Sequence, residues 1–265
     1  RSFSEIYEES NDLARVGGWE VDLIKQKITW TPYINKIHGM PADYKPKLDE
    51  AINFYKEGWS RDKITRCFQN AVEKGEPYDD EFLIVAADGS EKWVRGVAKS
   101  EMRAGNCLRV YGALQDITEA KTQEFARRDA EHRFKEIFDN SAVGIILVKN
   151  ATEVFMVNKA AVNIFGLQNR TQEEMLNITF SEVIKPEYLD EAREKRRALI
   201  AGEIESYKME AEFYHSSGRV IWCSMSSSSV RDTHLETDFV ITQVEDITQQ
   251  KKLEILAQKS AARFK

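Results

Sequence analysis

The stretch "LQDITEAK" at residues 114–121 returns, little changed, as "VEDITQQK" at residues 244–251. Each copy joins Asp-Ile-Thr to a polar, helix-prone run, and together they set two registers on one chain. Asp116 and Asp246 stand 130 residues apart, and the rest of the chain keeps that offset with a slow drift. Gly89 in "ADGSEKWV" answers Gly218 in "SSGRVIWC", and each precedes a tryptophan, Trp93 or Trp222, by four residues. Glu81 and Glu210 stand eight residues before those glycines, Gly39 answers Gly166, and Gly18 answers Gly144. Short loop insertions between two copies of one fold leave a drift of this kind. At roughly 110–130 residues, each copy has the size of a domain rather than of a solenoid repeat.

Both copies have the same periodicity. "WEVDLIKQKITW" (19–30) and "VGIILVKNATEVFMV" (143–157) alternate apolar and polar residues around a turn, as paired strands do. "TPYINKIHG" (31–39) and "NKAAVNIFG" (158–166) read as short helices, each closed by a glycine and an apolar residue. Helix-leaning acidic stretches follow: "LDEAINFYKEGW" and "RDKITRCFQNAVEKG" in the first copy, "QEEMLN" and "EYLDEAREKRRALIAG" in the second. Three strands then finish each copy, with hairpin turns at Asp88-Gly89 and Ser217-Gly218. This order predicts an α+β fold made twice, each copy a five-stranded antiparallel sheet with short helices on one face.

The repeated motif has a local reading. Glu119 stands three residues after Asp116 and Gln249 three after Asp246, the spacing of a capping box, so each Asp is expected to cap an outgoing helix. Asp116, Thr118, Glu119, Asp246, Thr248 and Gln249 are therefore the candidate relay and capping residues. The run after Asp116 has no Pro or Gly through Asn140 and is expected to continue as a helix into the second copy. Leu253, Leu256, Ala257, Ser260 and Phe264 form one face of a helix after the second copy, and Phe3, Ile6, Tyr7 and Leu13 do so before the first. The expected organisation is a flanking helix over 1–14, a domain over 15–117, a linker helix over 118–138, a second domain over 139–247 and an outgoing helix over 248–265.

Composition limits the function. A net charge of −6, with 42% hydrophobic and 31% charged residues, suits a water-soluble chain and argues against a general nucleic-acid binder, which needs a basic surface. The basic run "REKRRA" (193–198) is interrupted by Glu194 and reads as a solvated helix face. No apolar run reaches membrane-span length, and no signal-peptide pattern is present, so a cytoplasmic location without direct membrane insertion is expected. Cys67, Cys107 and Cys223 are widely spaced with no C-x-x-C, which suits buried thiols better than a disulfide framework or a zinc site. The N-x-T sequons at Asn150, Asn169 and Asn177 are taken as chance. The start at Arg1 and the helical end suggest a segment of a longer protein.

With these residues in place the chain resembles the PAS family, in tandem. "GGWEVDL", "ITWT", "DGSEKWVRG" and "LQDIT" look like the bacterial PAS subclass with its adjoining C-terminal PAC motif. "FKEIFDNSAVGI", "VNKAAVNIFG" and "VEDIT" look like the generic PAS pattern. The resemblance implies a sensory module whose sheet and short helices enclose a pocket for a small ligand, and whose flanking helices form a homodimer and pass the signal on. The tail "LEILAQKSAARFK" resembles the helix that leads into the phosphoacceptor hairpin of sensor histidine kinases, so a two-component kinase parent is expected. A diguanylate cyclase parent or a ligand-free protein-docking spacer are the alternatives. No catalytic motif marks this segment as an enzyme; a thiol nucleophile at Cys67 or Cys223 would need a neighbouring base that the sequence does not supply.

The cofactor, if any, stays unknown. Flavin photoreceptors of the family resemble one another around a helical "NCRFLQ", whereas "NCLRVY" here places Cys107 at the start of the last strand. Haem-binding members carry a histidine on the long helix, but His38 and His132 fall on other helices and His215 in a hairpin turn. Neither flavin nor haem is expected. Strand alternation directs Phe82, Ile84, Val94 and Gly96 toward the helices in the first copy, and Met209, Ala211, Phe213, Cys223 and Met225 in the second. Trp93 and Trp222 should face the other side of the sheet, where a flanking helix can cover them. Trp30, Ile37, Phe54 and Phe68 in the first copy, and Val157, Ile164 and Phe165 in the second, complete the candidate pocket set. Tyr33 and Tyr55 add to an aromatic interior that could also pack without a ligand.

Overall fold

A computed structural model describes residues 3–149, 153–232 and 237–263. Asn150, Phe264 and the side chains of Phe3, Ile6 and Tyr7 lie outside the described residues. The first copy runs α1 (Phe3–Ala14), β1 (Val16–Asp22), β2 (Lys27–Trp30), α2 (Pro32–Ile37) and α3 (Leu48–Ala51), the last continuing into a 3-10 turn (Ile52–Phe54). It finishes with α4 (Trp59–Lys74), β3 (Tyr78–Val85), β4 (Glu91–Arg103) and β5 (Asn106–Asp116). After α5 (Thr118–Asn140) the second copy repeats the order with β6 (Gly144–Lys149), β7 (Glu153–Val157), α6 (Lys159–Phe165), α7 (Gln172–Leu176), α8 (Phe180–Val183) and α9 (Pro186–Ile200). Then come β8 (Ser206–Tyr214), β9 (Val220–Asp232), β10 (Thr237–Asp246) and α10 (Thr248–Arg263). The chain divides into two compact units between Asp129 and Ala130, inside α5.

Each unit has a five-stranded antiparallel sheet, ordered β2-β1-β5-β4-β3 in the first and β7-β6-β10-β9-β8 in the second. The strand that ends in Asp-Ile-Thr is central in both. The inward positions pack as the alternation requires: Phe82, Ile84 and Val94 are buried against Ile34, Ile37 and Ile64. Met209, Ala211, Phe213, Cys223 and Met225 are buried with Phe165, Ile184 and Ala192 in the second unit. The glycines after α2 and α6 take left-handed backbone, φ 68° at Gly39 and 72° at Gly166. The next residue turns back in each case, Met40 N–H donating to the Asn35 carbonyl and Leu167 N–H to that of Val162, which satisfies carbonyls the helix end leaves free.

Two expectations need correction. Asp116 and Asp246 do not form capping boxes. Ile117 and Ile247, one residue past the central strands, still bond to the neighbouring strand, donating their N–H to the carbonyls of Trp93 and Trp222 at 2.9 and 2.8 Å. The helices therefore begin one residue later than that arrangement requires, and each Asp carboxylate accepts the N–H two residues on, from Thr118 or Thr248, at 2.9 Å. Glu119 instead pairs with Arg15. The run 193–198 is not a uniformly solvated face either. Arg193 and Arg197 are exposed, but Arg196 lies on the inward stripe of α9 between buried Ala192 and Leu199.

Candidate functional sites: two interior cavities and a repeated staple

In the first unit the helices do not close fully on the sheet, leaving a cavity of about 530 Å³. Strand residues Trp19, Val21, Trp30 and Leu114 form its floor, and Ile34, Ile52, Tyr55, Ile64 and Phe68 line it from the short helices and the segment that follows them. Its polar members are few. His38, 2% exposed at the end of α2, stacks on Trp30 at 4.5 Å and meets the edge of Phe54 at 4.6 Å. Its Nδ1 lies 2.8 Å from the Ile34 carbonyl. Burial lowers the imidazole pKa to about 4, against the raising effect of that hydrogen bond, so the ring is neutral near pH 7 and its Nδ1 is the donor. Burial likewise raises the pKa of the Tyr55 and Tyr78 hydroxyls, which stay protonated. The cavity is apolar, aromatic and uncharged in its depths, while Glu73, paired with Gln69, lies on an exposed turn of α4.

The second unit has a smaller cavity of about 100 Å³. Ile146, Val148, Val157, Phe165, Phe213, Met225 and Val244 line it, together with the side chain of Arg196. Burial lowers the Arg196 pKa, and its Nε and Nη2 are buried without a hydrogen-bond partner among the described residues.

The sequence-derived candidates divide between these cavities and the solid core. Trp30 and Phe68 line the first cavity, and Val157, Phe165, Phe213 and Met225 the second. Phe54 stands behind His38, while Ile37, Phe82, Ile84 and Val94 pack in the core without lining the cavity. Ile164, Met209 and Cys223 likewise pack beside the second cavity. Tyr55, expected only as part of the aromatic interior, lines the first cavity, and His38 and Arg196 were missed as lining residues. For Arg196 the signal was present, since Ala192, Arg196 and Leu199 follow the spacing of one helix face. Cys223 is fully buried, and burial, with Asp246 nearby, pushes its thiol up to about 12. Cys107 opens β5 with its Sγ 3.5 Å from the Arg109 carbonyl.

On the opposite face of each sheet the repeated motif makes the same staple twice. Thr118 Oγ1 accepts the Trp93 N–H at 3.0 Å, and Thr248 Oγ1 accepts the Trp222 N–H at 2.9 Å. The last residue of each quoted stretch completes it. Lys121 bonds Glu81 at 2.6 Å with its ammonium 5.6 Å from the Trp93 ring, and Lys251 bonds Glu210 at 2.6 Å with its ammonium 5.4 Å from the Trp222 ring. Phe125 of α5 also meets Trp93 edge-on at 6.0 Å. The outgoing helix is thus held to the tryptophan strand by backbone, charge and ring contacts.

Residues 27–114 match the family described as PAS fold, and residues 142–249 match the PAS domain family. The chain belongs to the PAS family and carries two of its sensory domains in tandem. The probable diguanylate cyclase DgcE of Escherichia coli K12 is 33% identical over 136 residues, 51% of this chain and 12% of that protein. The blue-light-activated histidine kinase of Brucella ovis is 26% identical over 178 residues, 66% of this chain and 32% of that protein. Among solved structures, a sensory box histidine kinase/response regulator from Burkholderia thailandensis E264 aligns at a TM-score of 0.42 and 19% identity, over 49% of this chain and 98% of the other. The chain matches less than a third of the length of either of these two curated relatives.

Proposed function

We propose that the two domains form the sensory input of a bacterial two-component histidine kinase, with the first domain taking a small, neutral, largely apolar ligand. The 530 Å³ cavity supports this reading most directly. Its volume falls in the range of small-molecule sites, and its depths hold rings and aliphatic side chains around one neutral imidazole. A charged ligand would lose its hydration there without a compensating partner. The relation to a histidine kinase over 66% of the chain supports the kinase assignment. A diguanylate cyclase output is the second reading, favoured by the 33% identity to a probable cyclase.

In this proposal the flanking helices join two copies of the chain and carry the signal. Leu253 and Leu256 on α10 are 64% and 62% exposed, a stripe suited to a partner helix. The surroundings are cytoplasmic, and no helix among the described residues is long and apolar enough to cross a membrane. The net charge of −6 supports a module that binds no nucleic acid.

Native mass spectrometry of the purified chain should show a first-domain adduct of a few hundred daltons or less, and light scattering at micromolar concentration should give a dimer. A ligand-free monomer in both would favour a spacer that docks another protein. Acid-labile phosphate formed from ATP by the polypeptide that carries these domains supports the kinase, and cyclic di-GMP formed from GTP supports the cyclase.

A further inference from the structure

Several lysines of the second unit are ion-paired, and one arginine faces an apolar cavity with two nitrogens buried and unpaired among the described residues. Lys185 bonds Glu212, Lys195 bonds Glu191 and Lys251 bonds Glu210. Arg196 has no such partner: its Nε and Nη2 are buried and unpaired, and its side chain lines the 100 Å³ cavity beneath α9. Arg196 shares its helix face with buried Ala192 and Leu199, and although the residue as a whole is half-buried, these two nitrogens are turned away from water. Unpaired buried donors are rare in folded proteins, and a buried guanidinium is among the most costly.

We propose that Arg196 is the anchor of a second ligand site, which takes a small monocarboxylate with a short unbranched apolar tail. Nε and Nη2 are adjacent donors on one edge of the guanidinium plane, the pair that meets the two oxygens of a carboxylate side by side. Around that edge the walls are apolar: Val157, Phe165, Phe213, Met225 and Val244 line the cavity, which suits a hydrocarbon tail and gives no place to further charge. Of the two threonines in the lining, Thr242 already shares a hydrogen bond with Ser227 at 2.9 Å. The volume admits a tail of about three carbons, by comparison with dry cavities of about 150 Å³ that hold benzene. Burial disfavours the charged guanidinium, and a bound carboxylate would relieve that cost. The site lies in the second domain and stands independently of whether the first cavity is filled or which output follows.

The test titrates the full chain with sodium butyrate, followed by calorimetry and amide NMR, with acetate, butyramide and inorganic phosphate as comparisons. Butyrate should bind one site, with shifts centred on Phe165, Met225 and Val244, and each methylene from acetate to butyrate should tighten binding about fourfold. Butyramide, equal in shape but uncharged, should bind at least about tenfold more weakly, and phosphate should give no response at these amides. Arg196→Met should abolish the butyrate response while melting no lower than the parent, since it replaces an unpaired buried charge with an apolar chain of similar length. Arg196→Lys, which keeps the charge but loses the planar pair, should fold and bind at least about tenfold more weakly. Undiminished butyrate binding in either variant, equal binding of butyramide, or no saturable response to butyrate would each overturn the proposal.

Discussion

His38 shows at the residue scale how the first cavity couples to pH. Loss of solvation, aided by the nearby Lys92 ammonium, holds its pKa at about 4, whereas in the unfolded chain it titrates near 6.5. Between those values the unfolded state binds a proton that the folded state refuses. Stability is therefore present in full above pH 6.5 and falls as acid is added toward pH 4, by roughly 3 kcal/mol across the window. His38→Phe keeps a ring between Trp30 and Phe54 and should flatten this dependence in urea unfolding series; an unchanged slope would place the titrating group elsewhere. Thr118 offers a second residue-scale test. Thr118→Val keeps the shape but removes the acceptor for the Trp93 N–H, at an expected cost of about 1–2 kcal/mol to the first domain. Thr248→Val should do the same in the second domain, and Thr118→Ser should restore most of the loss.

At the scale of elements, the repeat was legible wherever a local rule acts alone. Strand alternation put Phe82, Val94, Met209 and Cys223 on the buried face, and the glycines at positions 39 and 166 marked two helix ends. The capping box was not legible because Asp-Ile-Thr is divided between two elements. Ile117 gives its N–H to the Trp93 carbonyl, so the strand keeps the residue that a capping box would have assigned to the helix. Alternation also cannot separate cavity from core. It says which face of β3 or β8 a side chain takes, but whether a helix closes over it depends on contacts distant in sequence, and Phe82 proved covered where Trp30 did not. The sheet itself constrains substitution at Gly112, where a methyl group would overlap the Val97 carbonyl on the neighbouring strand β4. Gly112→Ala should destabilise the first sheet by about 3 kcal/mol, as read from the midpoint of thermal unfolding.

For the whole molecule, the offset of 130 residues between the two motifs already implied two domains, and the division inside α5 agrees with it. Calorimetry should resolve two transitions, with Gly112→Ala lowering one and leaving the other in place. A single transition displaced as a unit would mean that the two cores unfold together. The sequence did not show where each domain ends in a physical sense. Trp93 lies on the sheet face away from the cavity, under Lys121 and Phe125, and both of these follow the last strand. A fragment stopped at Asp116 would keep every strand of the first sheet, and Trp59 at 5.9 Å from that indole, yet bare the side of the ring that Lys121 and Phe125 cover. Its tryptophan emission should move to longer wavelength, and a fragment extended through Phe125 should recover the blue-shifted spectrum. By that measure the outgoing helix is the first domain's own lid, and its opening turns are as much a part of that domain's interior as of any message it sends onward.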